Sequence, residues 1–131
     1  MARVVDCMTG VIERFFQRPT LRAYLAARNV VLAHSHYQGL SLALAELSLL
    51  CEEGDFNGVL HRAEDLEGVW FLSPRLHLLA AVASTELGQE SNALRERELF
   101  AACMRGLMAT GDGTRKRPYR VTYRTDEHDA F

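Results

Sequence analysis

The side chains able to do chemistry in this sequence are five histidines, three cysteines and seventeen carboxylates, and their spacing decides what they could hold. Of His34, His36, His61, His77 and His128, only the first two are close together, in the break His34-Ser35-His36-Tyr37-Gln38-Gly39. A helical metal pair needs i, i+4 spacing, and no nearby cysteine or carboxylate completes a shell around this one. The pair reads instead as a partner for the negative end of a helix dipole. Cys7, Cys51 and Cys103 lack C-x-x-C spacing and fall on apolar helical positions, as reduced, buried thiols of a cytoplasmic protein do. Glu86, Glu90, Glu96 and Glu98 fall on or beside exposed helix, too polar a setting to raise a carboxylate for acid catalysis. Neither G-x-S-x-G nor a paired Cys and His motif occurs. No catalytic residue, metal ligand or cofactor is therefore expected, and the chain does not read as an enzyme.

A second chemistry is carried by charge. Arg115, Lys116, Arg117, Arg120 and Arg124 crowd a short stretch with Tyr119 and Tyr123 between them, a pattern that could bind phosphates and stack bases. The plainer reading puts the tyrosines on the core face of a strand and the arginines on its solvated face, partly neutralised by Asp126, Glu127 and Asp129. The preceding Gly111-Asp112-Gly113 lacks the GK[ST] ending of a phosphate loop and precedes a strand, so it reads as a structural turn.

These residues need a scaffold, and composition bounds it. With 131 residues, 48% of them hydrophobic and 24% charged, the chain suits one domain that buries a core without metal or disulfide staples. The balance of 15 basic against 17 acidic residues gives a net charge of −2, which carries no general attraction to nucleic acid or an anionic membrane. Asp6 interrupts the first apolar run and no small-residue cleavage site follows, so no secretory leader is expected. The apolar run from Leu40 to Cys51 contains Glu46 and falls short of the roughly 20 residues of a membrane span.

Periodicity and punctuation predict about six helices. Val4, Val5, Met8, Val11, Ile12, Phe15 and Phe16 repeat at the helical period, and Pro19 bounds them. Thr20 caps a second helix, with Leu21, Tyr24, Leu25, Val31 and Leu32 buried. The third, Leu40 to Glu53, is apolar nearly all round and is expected at the centre of the core. Gly54 ends it, and Asp55 caps a fourth with a stripe of Phe56, Val59, Leu60, Ala63 and Leu66. Val69, Trp70, Phe71 and Leu72 then form an apolar loop, tucked over a helix-pair end or exposed as a contact patch. Ser73 and Pro74 open a fifth helix, whose face of Leu76, Leu79, Ala80, Ala83 and Leu87 is widened by Leu78 and Val82 until Gly88 stops it. Asn92 or Ser91 caps the sixth, burying Ala93, Phe100, Cys103, Met104, Leu107 and Met108 and exposing Arg95, Glu96, Arg97 and Glu98. Beyond Gly111-Asp112-Gly113, the alternation of Tyr119, Val121 and Tyr123 predicts one short strand, and Thr125 caps an acidic turn from Asp126 to Asp129. With no second strand to pair with, it must pair across a dimer, lie on the helices as an extended arm, or meet a further segment.

Gly54 and Gly88 stand 34 residues apart at equivalent turns, in Leu50-Cys51-Glu52-Glu53-Gly54-Asp55-Phe56 and Ser84-Thr85-Glu86-Leu87-Gly88-Gln89-Glu90. Residues 40 to 108 thereby resemble the tetratricopeptide family, whose period this is. Its units have small residues where their helices cross: Ala81 and Ala93 satisfy this, while Leu47, Val59, Leu66 and Phe100 stand at the remaining positions. The resemblance implies antiparallel helical hairpins in a right-handed stack, with the first two helices as a cap or third hairpin. A second resemblance joins Ser73-Pro74 and His77 with Thr110-Gly111-Asp112-Gly113-Thr114, Pro118-Tyr119, Val121 and Thr125-Asp126-Glu127, a pattern similar to an uncharacterised bacterial family. It implies no activity, and it implies further extended segments past Phe131, which would make this chain a truncated member.

The expectation is thus an all-α fold, residues 1–109 forming a helical-hairpin domain and 110–131 a Gly-rich turn and strand belonging to it. The expected role is a cytoplasmic protein-interaction or scaffolding module with a protein or a second copy as partner, the strand mediating a homodimer. Trp70, Phe71, Tyr119, Arg120, Tyr123 and Arg124 are the candidate contact residues. A nucleic-acid binder using the basic arm is the alternative from another class, and an enzyme without a recognisable motif is the third. No membrane partner is expected.

Overall fold

The structure, a computed structural model, describes residues 2–33, 42–123 and Asp126. These contain six helices: α1 (Ala2–Gln17), α2 (Leu21–Leu32), α3 (Ala43–Glu52), α4 (Phe56–Trp70), α5 (Pro74–Glu86) and α6 (Glu90–Ala109). The all-α class follows. The His34 to Gly39 break and the acidic turn beyond Asp126 lie outside the described residues.

Local chemistry sets five of the twelve helix ends among the described residues. Thr20, Asp55 and Ser73 each accept a hydrogen bond from the backbone N–H three residues on, at 3.2, 3.0 and 3.4 Å, which satisfies a first-turn amide that has no partner within its helix. The turns after α3 and α5 are the same motif. Gly54 and Gly88 have φ of 79° and 74°; their N–H groups return to Cys51 and Thr85, while those of Asp55 and Gln89 return to Leu50 and Ser84. The start of α6 departs from expectation. The helix begins at Glu90 with Gln89 at its cap, and Asn92 instead donates to the Ser84 hydroxyl at 2.7 Å, tying α6 to α5.

The centre of the core is α5, not α3. Helix α5 packs against α3, α4 and α6 and buries Leu76, His77, Ala80, Ala81, Ala83 and Ser84. Helix α3 packs against α4 and α5 and buries Leu44 and Leu47, leaving Leu42 and Leu49 in solvent. An apolar helix is central only if neighbours surround it, and α3 has them on one side. Leu78 and Val82 likewise do not widen the buried face of α5; they are exposed, and His77, Ala81 and Ser84 are buried in their stead.

Helices α1 and α2 pack against each other and both touch α6, the last helix. Gly106 makes this approach possible: a Cβ there would lie 2.4 Å from Tyr24 Cδ2 and 2.8 Å from Phe15 Cζ. Phe15 and Tyr24 meet edge to face at 5.4 Å, while Phe16 reaches past them to Phe71 at 5.1 Å and His77 at 6.0 Å.

No strand occurs among the described residues. Residues 119–123 lie instead as an irregular arm over the helices, and side chains take the backbone groups that a partner strand would otherwise take. The Arg120 N–H donates to the Thr110 hydroxyl at 2.7 Å. Arg28 donates to the Val121 carbonyl through Nε at 3.3 Å and Nη2 at 3.1 Å. The N–H groups of Thr122 and Tyr123 both donate to Asp126 Oδ2, at 3.0 and 3.1 Å.

Candidate functional site

Several buried polar groups meet at the last turn of α4. A helix leaves its final carbonyls without intrahelical partners, and here that end is inside the protein. The Val69 carbonyl accepts from the Tyr123 hydroxyl, and the Trp70 carbonyl from the Ser73 N–H at 2.9 Å. The Phe71 carbonyl accepts from His77 Nε2 at 2.6 Å and from the Cys103 thiol at 3.7 Å. Three distant segments thus converge on one helix terminus.

Because a carbonyl only accepts, His77 Nε2 carries a proton. His77 Nδ1 faces Glu96 Oε2 at 2.8 Å. Both residues are buried, Glu96 at 4% exposure, and Arg95 Nη1 donates to the other carboxyl oxygen at 3.3 Å. The placement of Glu96 on a solvated face is therefore corrected. Its position held a readable signal: Ala93, Glu96, Phe100, Cys103 and Leu107 follow the alternating three- and four-residue spacing of one helical stripe.

Glu96 forms the back of an open cleft of about 440 Å³, lined by Leu60, Ala63, Glu64 and Glu67 of α4, Ala80 of α5, and Asn92 and Arg95 of α6. Burial pushes the Glu67 carboxyl up, and the nearby Glu96 adds to this against the opposing pull of Arg95 and His77. His77 is not open to a substrate, since both ring nitrogens are engaged inside the core.

The residues nominated from sequence separate into two groups. Trp70 and Tyr123 come together inside, with ring planes 22° apart and centroids 4.6 Å apart. Burial pushes the Tyr123 phenol well up, so it stays a hydrogen-bond donor to Val69. Phe71 is half-buried between Phe16 and His77, Tyr119 is half-buried, Arg120 is exposed, and Arg124 lies outside the described residues. Arg115, Lys116 and Arg117 are exposed on a loop whose Asp112 and Gly113 N–H groups both donate to the Arg117 carbonyl, with Gly113 at φ 81°.

Cys103 is buried, and burial raises its thiol well above the ordinary range, with smaller effects of Asp126 and Glu96 in the same direction, which favours the protonated form. Cys51 is half-buried and also free. Among the described residues, no group of three or more His, Cys, Asp or Glu side chains is placed to hold a metal ion, and no helix is long and apolar enough to cross a membrane. No protein-family model matches this chain, and no curated protein or solved structure matches it either.

Proposed function

We propose that this chain is a non-catalytic protein-interaction or scaffolding module of the cytoplasm, built of tetratricopeptide-like hairpins, that binds a protein partner and associates with itself. Its main support is the layer formed by α3 and α5. These two packed helices leave Leu42, Leu49, Leu78 and Val82 between 40% and 76% exposed, at helical spacings that put each pair on one face of its helix. Large apolar side chains left in water on adjacent elements favour coverage by another protein, at about 25 cal/mol per Å² of apolar surface removed from water. The cleft before Glu96 adds polar groups that would orient a bound segment.

The test is a Leu49→Glu, Val82→Glu double variant followed by light scattering at micromolar concentration. Both positions are exposed, so folding should survive; self-association by the wild type that the variant lacks supports the reading. Self-association that persists unchanged in the variant would remove α3 and α5 from it.

One observation favours a second reading. Arg115, Lys116, Arg117 and Arg120 are all exposed around one ordered loop, which suits contact with a nucleic-acid backbone. Tyr123 is buried and cannot stack bases, so such binding would be electrostatic. Charge reversal at Arg115, Lys116 and Arg117 separates the two readings: protein association survives it, while a salt-sensitive nucleic-acid affinity is lost.

A further inference from the structure

The groove that receives the C-terminal arm has the character of a peptide-binding site. Its walls are Tyr24 and Arg28 of α2 and the Val69–Trp70 end of α4. The arm enters with its Val121 carbonyl on the Arg28 guanidinium, its Thr122 hydroxyl on the Tyr24 hydroxyl at 3.0 Å, and its Tyr123 ring against Trp70 with the phenol on the Val69 carbonyl. The arm also carries its own internal brace, since Asp126 accepts from the Thr122 and Tyr123 N–H groups and returns its own N–H to the Tyr123 carbonyl at 3.0 Å.

The covalent link to this segment is thin. Residues 112–118 are exposed, and the hydrogen bonds of Asp112, Gly113, Thr114 and Arg117 run within the loop. The contacts in the groove are therefore the same whether the arm belongs to its own chain or to another. The tether contributes local concentration, on the order of millimolar for a short link.

We propose that this groove also binds Tyr119 to Tyr123 of a second copy, with its Asp126, so that two chains exchange arms into a closed dimer. The class of ligand is a short peptide segment with an aromatic ring for Trp70, a hydroxyl for Tyr24 and a carboxylate three residues beyond the aromatic. This rests on the self-association in the function proposed above, but it uses a different surface and fails separately.

The turn offers a decisive variant. A Cβ at Gly111 would sit 2.3 Å from the Arg117 carbonyl oxygen and 2.4 Å from that of Pro118, and Gly113 holds φ of 81°. A chain with Gly111→Ala, Asp112→Ala and Gly113→Ala cannot close this turn and carries α6 onward, away from its own groove. The expected result is a folded dimer by light scattering at micromolar concentration, with Trp70, the single tryptophan, emitting as in the wild type. Adding Tyr123→Ala should return the mass to that of a monomer. A folded monomer, with Trp70 emission either shifted or unchanged, overturns the proposal.

The wild type supplies an independent arm of the test should the triple variant not fold. As its concentration approaches millimolar, a dimer should grow in that survives Leu49→Glu with Val82→Glu but is lost on Tyr123→Ala. A monomer throughout, or a dimer lost only with Val82, overturns the exchange; the latter leaves the α3 and α5 surface standing.

Discussion

Trp70, the last residue of α4, and Tyr123, in the arm, lie stacked with centroids 4.6 Å apart, and the Tyr123 hydroxyl closes on the carbonyl of Val69 next door. This one contact fastens the arm to the helix end whose free carbonyls organise the interior.

Tyr123→Phe keeps the stack and removes the hydroxyl, leaving the Val69 carbonyl without that donor. The expected loss is about 1–2 kcal/mol of stability in urea denaturation. Tyr123→Ala also opens a cavity and should cost about 3–5 kcal/mol, with a red shift of Trp70 emission.

Glu96 and His77 should behave as a coupled pair. Glu96→Ala leaves His77 Nδ1 without its partner inside the protein and should cost about 3–5 kcal/mol. Glu96→Gln should cost far less, because an amide N–H can donate to neutral Nδ1 while the amide oxygen accepts from Arg95. A double-mutant cycle with His77→Phe should return a coupling of about 1–3 kcal/mol, and additivity would show the pair to be independent.

Glu67 sets a pH dependence. Its carboxyl is raised by burial and then by Glu96, so the folded protein penalises the charged form. That penalty is absent below the ordinary carboxyl pKa of 4.5, grows as pH rises, and is complete above the raised folded value. Glu67→Gln should therefore match the wild type in acid and exceed it at neutral pH. The gain is under about 1 kcal/mol, because the group is half-exposed and solvent screens it. Thermal midpoints of both proteins across pH 4 to 8 would read it, and equal midpoints throughout would exclude the penalty.

Gly106→Ala and Gly88→Ala should destabilise for different reasons. At Gly106 the added methyl meets Tyr24 and Phe15, and about 1–3 kcal/mol of overpacking outweighs the helix-propensity gain of up to about 1 kcal/mol. At Gly88 nothing lies within 4 Å, so only the positive φ costs, at about 1–2 kcal/mol. Gly54→Ala, in the same conformation and equally open space, should cost the same within error.

The sequence by itself determined the helices and five of their ends. Thr20, Asp55 and Ser73 as caps and Gly54 and Gly88 as stops act through atoms within about five residues, so their signals survive without knowledge of the fold. Which helix would be central was not legible, because α3 and α5 are both apolar around much of their circumference and only the number of neighbours tells them apart. The tertiary structure likewise decided Glu96. Its place on the buried stripe of α6 was readable, but a carboxylate is buried only when a partner waits there, and His77 arrives from another helix. The arm is the clearest case. Alternation marked Tyr119, Val121 and Tyr123 as half-buried, yet what satisfies the backbone of residues 120–123 comes from Thr110, Arg28 and Asp126, and only the folded chain brings those groups to it.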